Sequence, residues 1–144
     1  MRSAIPVPIA AAVLLAGCAS SPEPSDPQPR GSAGCTISYK GVLQSNGENL
    51  TRLKTGMTRA EVISLMGDCV VRGRGGPYAN PFRSDALQSG SDSYEVMYYL
   101  TRRRPPFTTV SISQATPVVL KNGILIGWGR MAVEDTKRAI GGIR

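Results

Sequence analysis

The sequence predicts an α+β fold, with two N-terminal helices packed on a small antiparallel sheet of about three strands and a short C-terminal helix. Three observations carry this. Thr58 and Glu61 have the spacing of a capping box at the head of a helix that Gly67 ends. Tyr94–Leu100 is rich in β-prone side chains and alternates them between two faces. Pro117–Lys121 and Ile124–Trp128 flank Asn122-Gly123, the signature of a tight two-residue hairpin. Helices first, then a strand and a hairpin, is an order that sets helices on one face of an antiparallel sheet.

Taken in order, the chain starts with a positive Met1-Arg2. No charge follows from Ala4 to Ala16, where Ile5, Val7, Ile9, Val13, Leu14 and Leu15 make an apolar run. A membrane span needs roughly 20 apolar residues, so the run is too short for one. It fits the apolar region of a secretory signal, which ends in small residues. Leu15-Ala16-Gly17-Cys18 resembles the lipobox of bacterial lipoproteins. That resemblance implies cleavage between Gly17 and Cys18, a diacylglycerol on the Cys18 thiol and an acylated amino terminus. Several acyl chains hold a protein on a bilayer far better than one, since each buried methylene contributes about 0.8 kcal/mol. Ala19, where Asp would signal inner-membrane retention, points to the periplasmic face of the outer membrane. Residues 1–17 are then a lipoprotein signal peptide and residues 18–34 a tether. Ser20–Arg30 carries Pro22, Pro24, Pro27 and Pro29 among polar residues, so it cannot bury a core and is expected to stay extended. Residues 35–144 have the size of one domain.

The net charge is +7. Basic residues are dispersed except for Arg102-Arg103-Arg104 and the pair Arg72 and Arg74. An exported protein does not normally meet nucleic acid, so anionic phospholipid or an acidic protein is the expected partner of that charge; the alternative is a solvated basic surface. Of the three cysteines, Cys18 is assigned to lipid. Cys35 and Cys69 are then two thiols in an oxidising space, where disulfides persist, and a bond between them would stabilise the fold by about 3–4 kcal/mol. The alternative is two separate thiols, one of them buried. The chain contains no His, which removes Ser-His-Asp and Cys-His nucleophile systems, and no metal site is expected.

Within the domain, Thr36–Tyr39 reads as a short first strand. Asn46-Gly47 is a turn signal, and Glu48–Lys54 a short helix carrying Leu50 and Leu53. The capped helix follows, with Val62, Ile63, Leu65 and Met66 inward and Met57 stapled to Val62. Val70 and Val71 suggest a strand, and Gly73, Gly75, Gly76 and Pro77 a break in regular structure. Gly73-Arg74-Gly75-Gly76 lacks the Gly-Lys-Ser/Thr of a phosphate loop and reads as a turn. Tyr78–Ser91 is expected to be a long loop with a helical turn near Asp85–Leu87. On the strand after it, Tyr94, Val96, Tyr98 and Leu100 share one face, and Glu95, Met97 and Tyr99 the other. Arg102–Pro106 is a basic loop, and Phe107–Ser113 an extended continuation. The hairpin pairs Leu120 with Leu125 and Val119 with Ile126. Ala132–Ile140 is the last helix, with Glu134 and Arg138 placed to pair across one turn.

Lys54-Thr55-Gly56-Met57-Thr58-Arg59-Ala60-Glu61-Val62, followed by Leu65-Met66-Gly67, resembles the helix element of the BamE-like (SmpA/OmlA) small outer-membrane lipoproteins. The aromatic strand, Val118–Leu125 and Gly127-Trp128-Gly129 are also similar. The resemblance spans about residues 50–130 and implies that family or an uncharacterised sister family of the same fold. It implies two helices on a three-stranded antiparallel sheet, outer-membrane anchoring and no catalysis. The family's best-known member is an accessory subunit of the machine that inserts β-barrels, and it also touches anionic lipid. The Tyr78–Ser91 insert, the arginine loop and the C-terminal helix are additions to that pattern.

The expected function is therefore that of a non-catalytic binding or scaffold subunit in cell-envelope assembly or maintenance, anchored by lipid and carrying no other cofactor. The first alternative is a protein that binds anionic lipid or cell wall alone, and the second a small periplasmic enzyme. The contact candidates are Arg102, Arg103 and Arg104 in the basic loop, Phe82 and Arg83 in the Asn80–Ser84 stretch, and Tyr99. Tyr98 and Trp128 are read as core, and Tyr99, on the opposite strand face, as surface.

Overall fold

The computed structural model describes residues 35–73, 76–106 and 108–141. The signal peptide, Cys18, the tether, Arg74, Gly75 and Phe107 lie outside the described residues. The elements run β1 (Thr36–Ser38), α1 (Tyr39–Leu50), α2 (Arg59–Met66), β2 (Val70–Gly73), β3 (Gly76–Ala79), β4 (Arg83–Ser89), β5 (Asp92–Leu100), a 3-10 turn (Ile112–Gln114), β6 (Ala115–Lys121), β7 (Ile124–Trp128) and α3 (Gly129–Gly141). The chain is α+β, as its sequence predicts, with two sheets rather than one.

The capping box is present at α2. Thr58 Oγ1 accepts from the Glu61 N–H at 3.3 Å, and Glu61 Oε2 accepts from the Thr58 N–H at 2.7 Å. Gly67, at φ 81°, ends the helix in a conformation that side chains beyond glycine disfavour. α1 departs from expectation. It starts at Tyr39, where Ser38 caps the Gly41 N–H at 3.1 Å, and runs straight through Asn46-Gly47. Asn46 is fully buried, and its amide donates to Leu100 O at 2.9 Å and Asn80 Oδ1 at 3.0 Å instead of closing a local turn. Tertiary partners thus override the turn signal, and the chain turns only at Thr51-Arg52. Glu48–Lys54 is the end of α1 and a turn, not a separate helix.

A three-stranded sheet has the order β1-β2-β3, with β1 parallel to β2 and β2 antiparallel to β3. A four-stranded antiparallel sheet has the order β4-β5-β6-β7. Tyr78–Ser91, expected as a loop with a helical turn, instead supplies the end of β3, all of β4 and the turn into β5. β4 holds no β-branched residue and is mostly exposed, so neither composition nor alternation marks it. Its pairing with β5, from Arg83 opposite Tyr98 to Ser89 opposite Asp92, makes it a strand.

Leu53, Val62, Met66, Met97, Tyr99, Val118, Leu120 and Leu125 form the main core, between α2 with its flanking segments and one face of the larger sheet. Tyr99 is fully buried there, whereas Trp128 is 37 % exposed and Tyr98 is half-buried on the other face. That reverses the expectation for these three aromatics. Both faces of β5 carry large apolar side chains, so the alternation separates the faces without saying which one the helices cover.

The Asn-Gly hairpin has positive φ at both turn residues, 51° at Asn122 and 78° at Gly123, as a primed turn requires. Leu120 faces Leu125, but Val119 faces Gly127 because a bulge displaces Ile126. The outer edge of β7 is covered by the lead-in to α2. Gly56 N–H donates to Leu125 O at 2.8 Å and Leu125 N–H to Met57 O at 2.7 Å, which closes the ladder at Leu125. α3 then packs on β6 and β7. Glu134 pairs with Lys137 at 3.0 Å and Arg138 with Asp135 at 3.5 Å, in place of the expected Glu134–Arg138 pair. Among the described residues, no helix is long and apolar enough to cross a membrane.

Candidate functional site

α3 does not seal the sheet. Between it and the strands lies an open cleft of 540 Å³, lined by Tyr94, Lys121, Ile126, Gly127, Trp128, Ala132, Asp135, Thr136 and Ala139. Each wall has a local origin. The β5–β6 register sets Lys121 opposite Tyr94, and the bulge turns Ile126 out of the ladder, leaving it 43 % exposed. Gly127 lets α3 approach, since a Cβ on it would stand 3.0 Å from Ala132 Cβ. Thr136 hides its hydroxyl by donating to Ala132 O at 2.7 Å, which leaves an apolar wall.

The charges at the cleft are paired. Lys121 Nζ lies 2.7 Å from Asp92 Oδ2 and 5.7 Å from the centroid of Tyr94. The Asp92 hydrogen bond holds the Lys121 ammonium above its ordinary range. Lys121, with help from Asn122, holds the Asp92 carboxyl below its own. Asn122 also accepts from the Ser93 N–H at 2.8 Å, so the hairpin tip is tied to the start of β5. Asp135, on the helix side, faces Arg138. Such a cleft suits an apolar or aromatic side chain, with polar groups at its rim to orient the incoming chain. Among the described residues, no group of three or more His, Cys, Asp or Glu could hold a metal ion.

The sequence-predicted residues are not brought together in this cleft. Arg102, Arg103 and Arg104 follow the far end of β5. Arg102 Nη2 donates to Ser113 O, and Arg104 Nη1 donates to Thr108 O at 2.8 Å, so both guanidinium groups hold the shape of their own loop. Tyr39 fastens that loop to α1, its hydroxyl accepting from the Arg104 N–H at 3.1 Å and donating to Arg102 O at 3.5 Å. Arg103 is exposed. Phe82 is half-buried, with its ring 6.0 Å from that of Tyr78, and its N–H donates to Tyr98 O at 2.8 Å. Arg83 opens β4 and pairs with Asp85 at 2.6 Å. Asn80–Ser84 is therefore a pinned crossing between the sheets rather than a projecting contact loop. Tyr99 has no surface role; burial pushes its phenol well above the usual range.

Cys35 and Cys69 form a disulfide, with Cα atoms 4.9 Å apart and a sequence separation of 34. Two features had no sequence signal. Asn46 and Asn80 form a reciprocal buried amide pair, Asn80 Nδ2 donating to Asn46 Oδ1 at 3.2 Å and to Met66 O at 3.1 Å. Arg59 meets Glu95 through two contacts, 2.7 and 3.0 Å, joining the head of α2 to β5. The cleft itself was only partly legible: the Asn-Gly hairpin that carries Ile126 and Trp128 could be read, but nothing in the sequence announces the bulge at Ile126.

No curated protein and no solved structure matches the chain. A family model described as "Protein of unknown function (DUF3192)" matches residues 36–135. The match runs from β1 through β7 and into α3 as far as Asp135, so it takes in both sheets, the core and most of the cleft wall. The chain belongs to the DUF3192 family.

Proposed function

We propose that this protein is a lipoprotein held on the periplasmic face of the outer membrane, where it serves as a non-catalytic binding or scaffold subunit in envelope assembly or maintenance. Its partner is a second envelope protein, and the cleft between α3 and the sheet receives an apolar segment of it. The open apolar cleft carries this reading, because Ile126 and Trp128 remain exposed beside it while the rim charges are already paired. The lipobox-like Leu15–Cys18 supports the anchor, with Cys18 bearing the lipid. The Cys35–Cys69 bond supports an oxidising compartment. The likeness of Lys54–Val62 and of the hairpin to BamE-like lipoproteins supports kinship with that fold and, through it, a place near β-barrel assembly. Fold kinship alone names no partner, and the apolar cleft supports a protein one.

The test is crosslinking in cells. A photoreactive amino acid replaces Ile126 or Trp128 in the lipidated protein, and Arg52 as a remote control. Adducts of one defined mass at positions 126 and 128, and none at 52, are expected. Equal labelling at all three positions, or none at any, discards the cleft as the docking site. Labelled palmitate on Cys18, lost in Cys18→Ser, tests the anchor separately.

A further inference from the structure

We propose that the outer edge of β4 is a self-pairing interface. Two copies of this chain join there, antiparallel, about a two-fold axis at Ala86, and merge their larger sheets into one.

The order β4-β5-β6-β7 gives the larger sheet two edges. One, β7, is held at Ile124 and Leu125 by the lead-in to α2. The other, β4, is bonded to β5, and among the described residues no backbone bond reaches its outer side. The register fixes which groups face outward. Asn122 N–H donates to Ser93 O at 2.8 Å, so the odd-numbered residues of β5 bond to β6. Its even-numbered residues then bond to β4, as Tyr98 O does in accepting from the Phe82 N–H at 2.8 Å. Their partners Arg83, Asp85 and Leu87 point their backbone groups inward. Ser84, Ala86 and Gln88 therefore turn their N–H and C=O groups to solvent, and all three residues are exposed.

These three residues are spaced to pair with themselves. An antiparallel axis at Ala86 sets Ala86 opposite its own copy and Ser84 opposite Gln88 of the second copy. Each pair exchanges both N–H···O bonds, so every outward group of the three finds a partner. An axis at Ser84 or at Gln88 strands the far residue beyond the end of the other β4. The side chains agree. Ala86 is small where the copies meet, and Ser84 can hydrogen-bond Gln88 across the strands. On the α3 face, Arg83 falls opposite Ser89 and Asp85 opposite Leu87, so no like charges stand face to face. Arg83 and Asp85 also pair within their own chain at 2.6 Å, which leaves the edge neutral. Leu87, 51 % exposed, comes diagonal to its own copy across the axis. From Ser84 to Ser89 the edge holds neither Lys nor Pro nor a bulge, the devices that keep edges apart. This mutual fit of backbone and charge selects a second copy over a foreign strand.

Pairing consumes the open edge of each larger sheet, so it closes at two chains. The axis stands perpendicular to the sheet, which keeps both α3 faces on one side. Seven strand spacings separate the two β7 strands, about 34 Å at ~4.8 Å each. The dimer thus turns two clefts to the same side, a bivalent scaffold whose assembly does not depend on what enters them.

The test uses the full mature chain with Cys18→Ser, so that no lipid drives association. Sedimentation should show a monomer–dimer equilibrium. Ala86→Lys, which sets like charges face to face at the axis, should weaken it at least about tenfold. Ala86→Pro removes an outward N–H, leaves the bonds to β5 in place, and should weaken it as much. Thermal melts check that both variants stay folded. Cysteines read the register. Under mild oxidation, Ala86→Cys should cross-link at least about tenfold faster than Ser84→Cys or Gln88→Cys, whose own copies lie apart. The Ser84→Cys and Gln88→Cys chains, once mixed, should cross-link to each other. A monomer at every concentration, equal cross-linking at all three positions, or a dimer that survives both Ala86 variants overturns the proposal. In cells, a photoreactive residue at position 86 should give an adduct of twice the chain's mass. An adduct of another mass assigns the edge to a strand of a different protein and overturns the second copy. Positions 126 and 128 are untouched throughout, so this interface and the cleft stand or fall separately.

Discussion

Asn46 is fully buried and Asn80 nearly so, yet each side-chain amide is satisfied by the other and by backbone carbonyls of β5 and α2. Removing one leaves the other's amide orphaned in a low-dielectric site, which costs more than the bond itself. Asn46→Ala should lower stability by about 2–3 kcal/mol, seen as a shift in the denaturant midpoint at unchanged slope. Asn46→Ala/Asn80→Ala should cost less than the sum of the two single changes, and strict additivity would refute the pairing. Acid sensitivity also belongs at this scale. Thr58, through its N–H and then its hydroxyl, holds Glu61 below its ordinary 4.5, and Lys121 with Asn122 holds Asp92 below 3.8. A lowered folded value means that the unfolded chain takes up the proton first. The stabilisation is complete above about pH 5 and is lost as pH falls through the folded values. Melting temperature should therefore drop between pH 5 and pH 3, and Glu61→Gln should flatten that drop. An unchanged slope in the variant would remove Glu61 from the cause.

Gly127 decides how closely α3 lies on the sheet. A methyl group there would meet Ala132 Cβ at 3.0 Å, and both atoms belong to short, inflexible side chains, so the helix must move. Gly127→Ala should destabilise by about 1–3 kcal/mol, the range for overpacking, and widen the cleft. Gly127→Ala/Ala132→Gly should recover part of the loss by returning the space, less the cost of a glycine within α3. Failure of the second change to recover anything would show that the two do not touch. Elements differed in how far they could be read. α2 and the β6–β7 hairpin were legible because their signals are local: a box of Thr58 and Glu61, and a turn of Asn122 and Gly123. β5 was legible by alternation, but its inside and outside were not, since Tyr98 and Tyr99 are equally apolar and only the packing of α2 buries Tyr99. β4 and the middle of α1 were illegible for one shared reason. Arg83–Ser89 is a strand because β5 lies beside it, and Asn46-Gly47 is helical because Asn80 and Leu100 take the Asn46 amide. The cleft joined both kinds, a legible hairpin and an unannounced bulge.

Across the molecule, the smaller sheet is the weaker partner, and the disulfide compensates. β1 has three residues, mostly exposed, paired on one side to β2, yet the chain leading from Cys18 enters through it. Any pull on that chain would peel β1 from β2 were Cys35 not bonded to Cys69, at the junction of α2 and β2. Cross-linking residues 34 apart removes unfolded-state freedom equivalent to about 3–4 kcal/mol. In a Cys18→Ser background, Cys35→Ala/Cys69→Ala should therefore melt on the order of 10–20 °C lower. A global loss is only half of the expectation. The larger sheet holds the main core and makes no covalent use of the bond, so the native variant should open locally first at its small sheet. Hydrogen exchange should show Ile37 and Val71 amides losing protection beyond the global change, while Val118 and Leu120 lose only the global amount. A uniform loss over both sheets would mean that the disulfide stabilises the whole chain through the unfolded state alone, with no separate duty at β1.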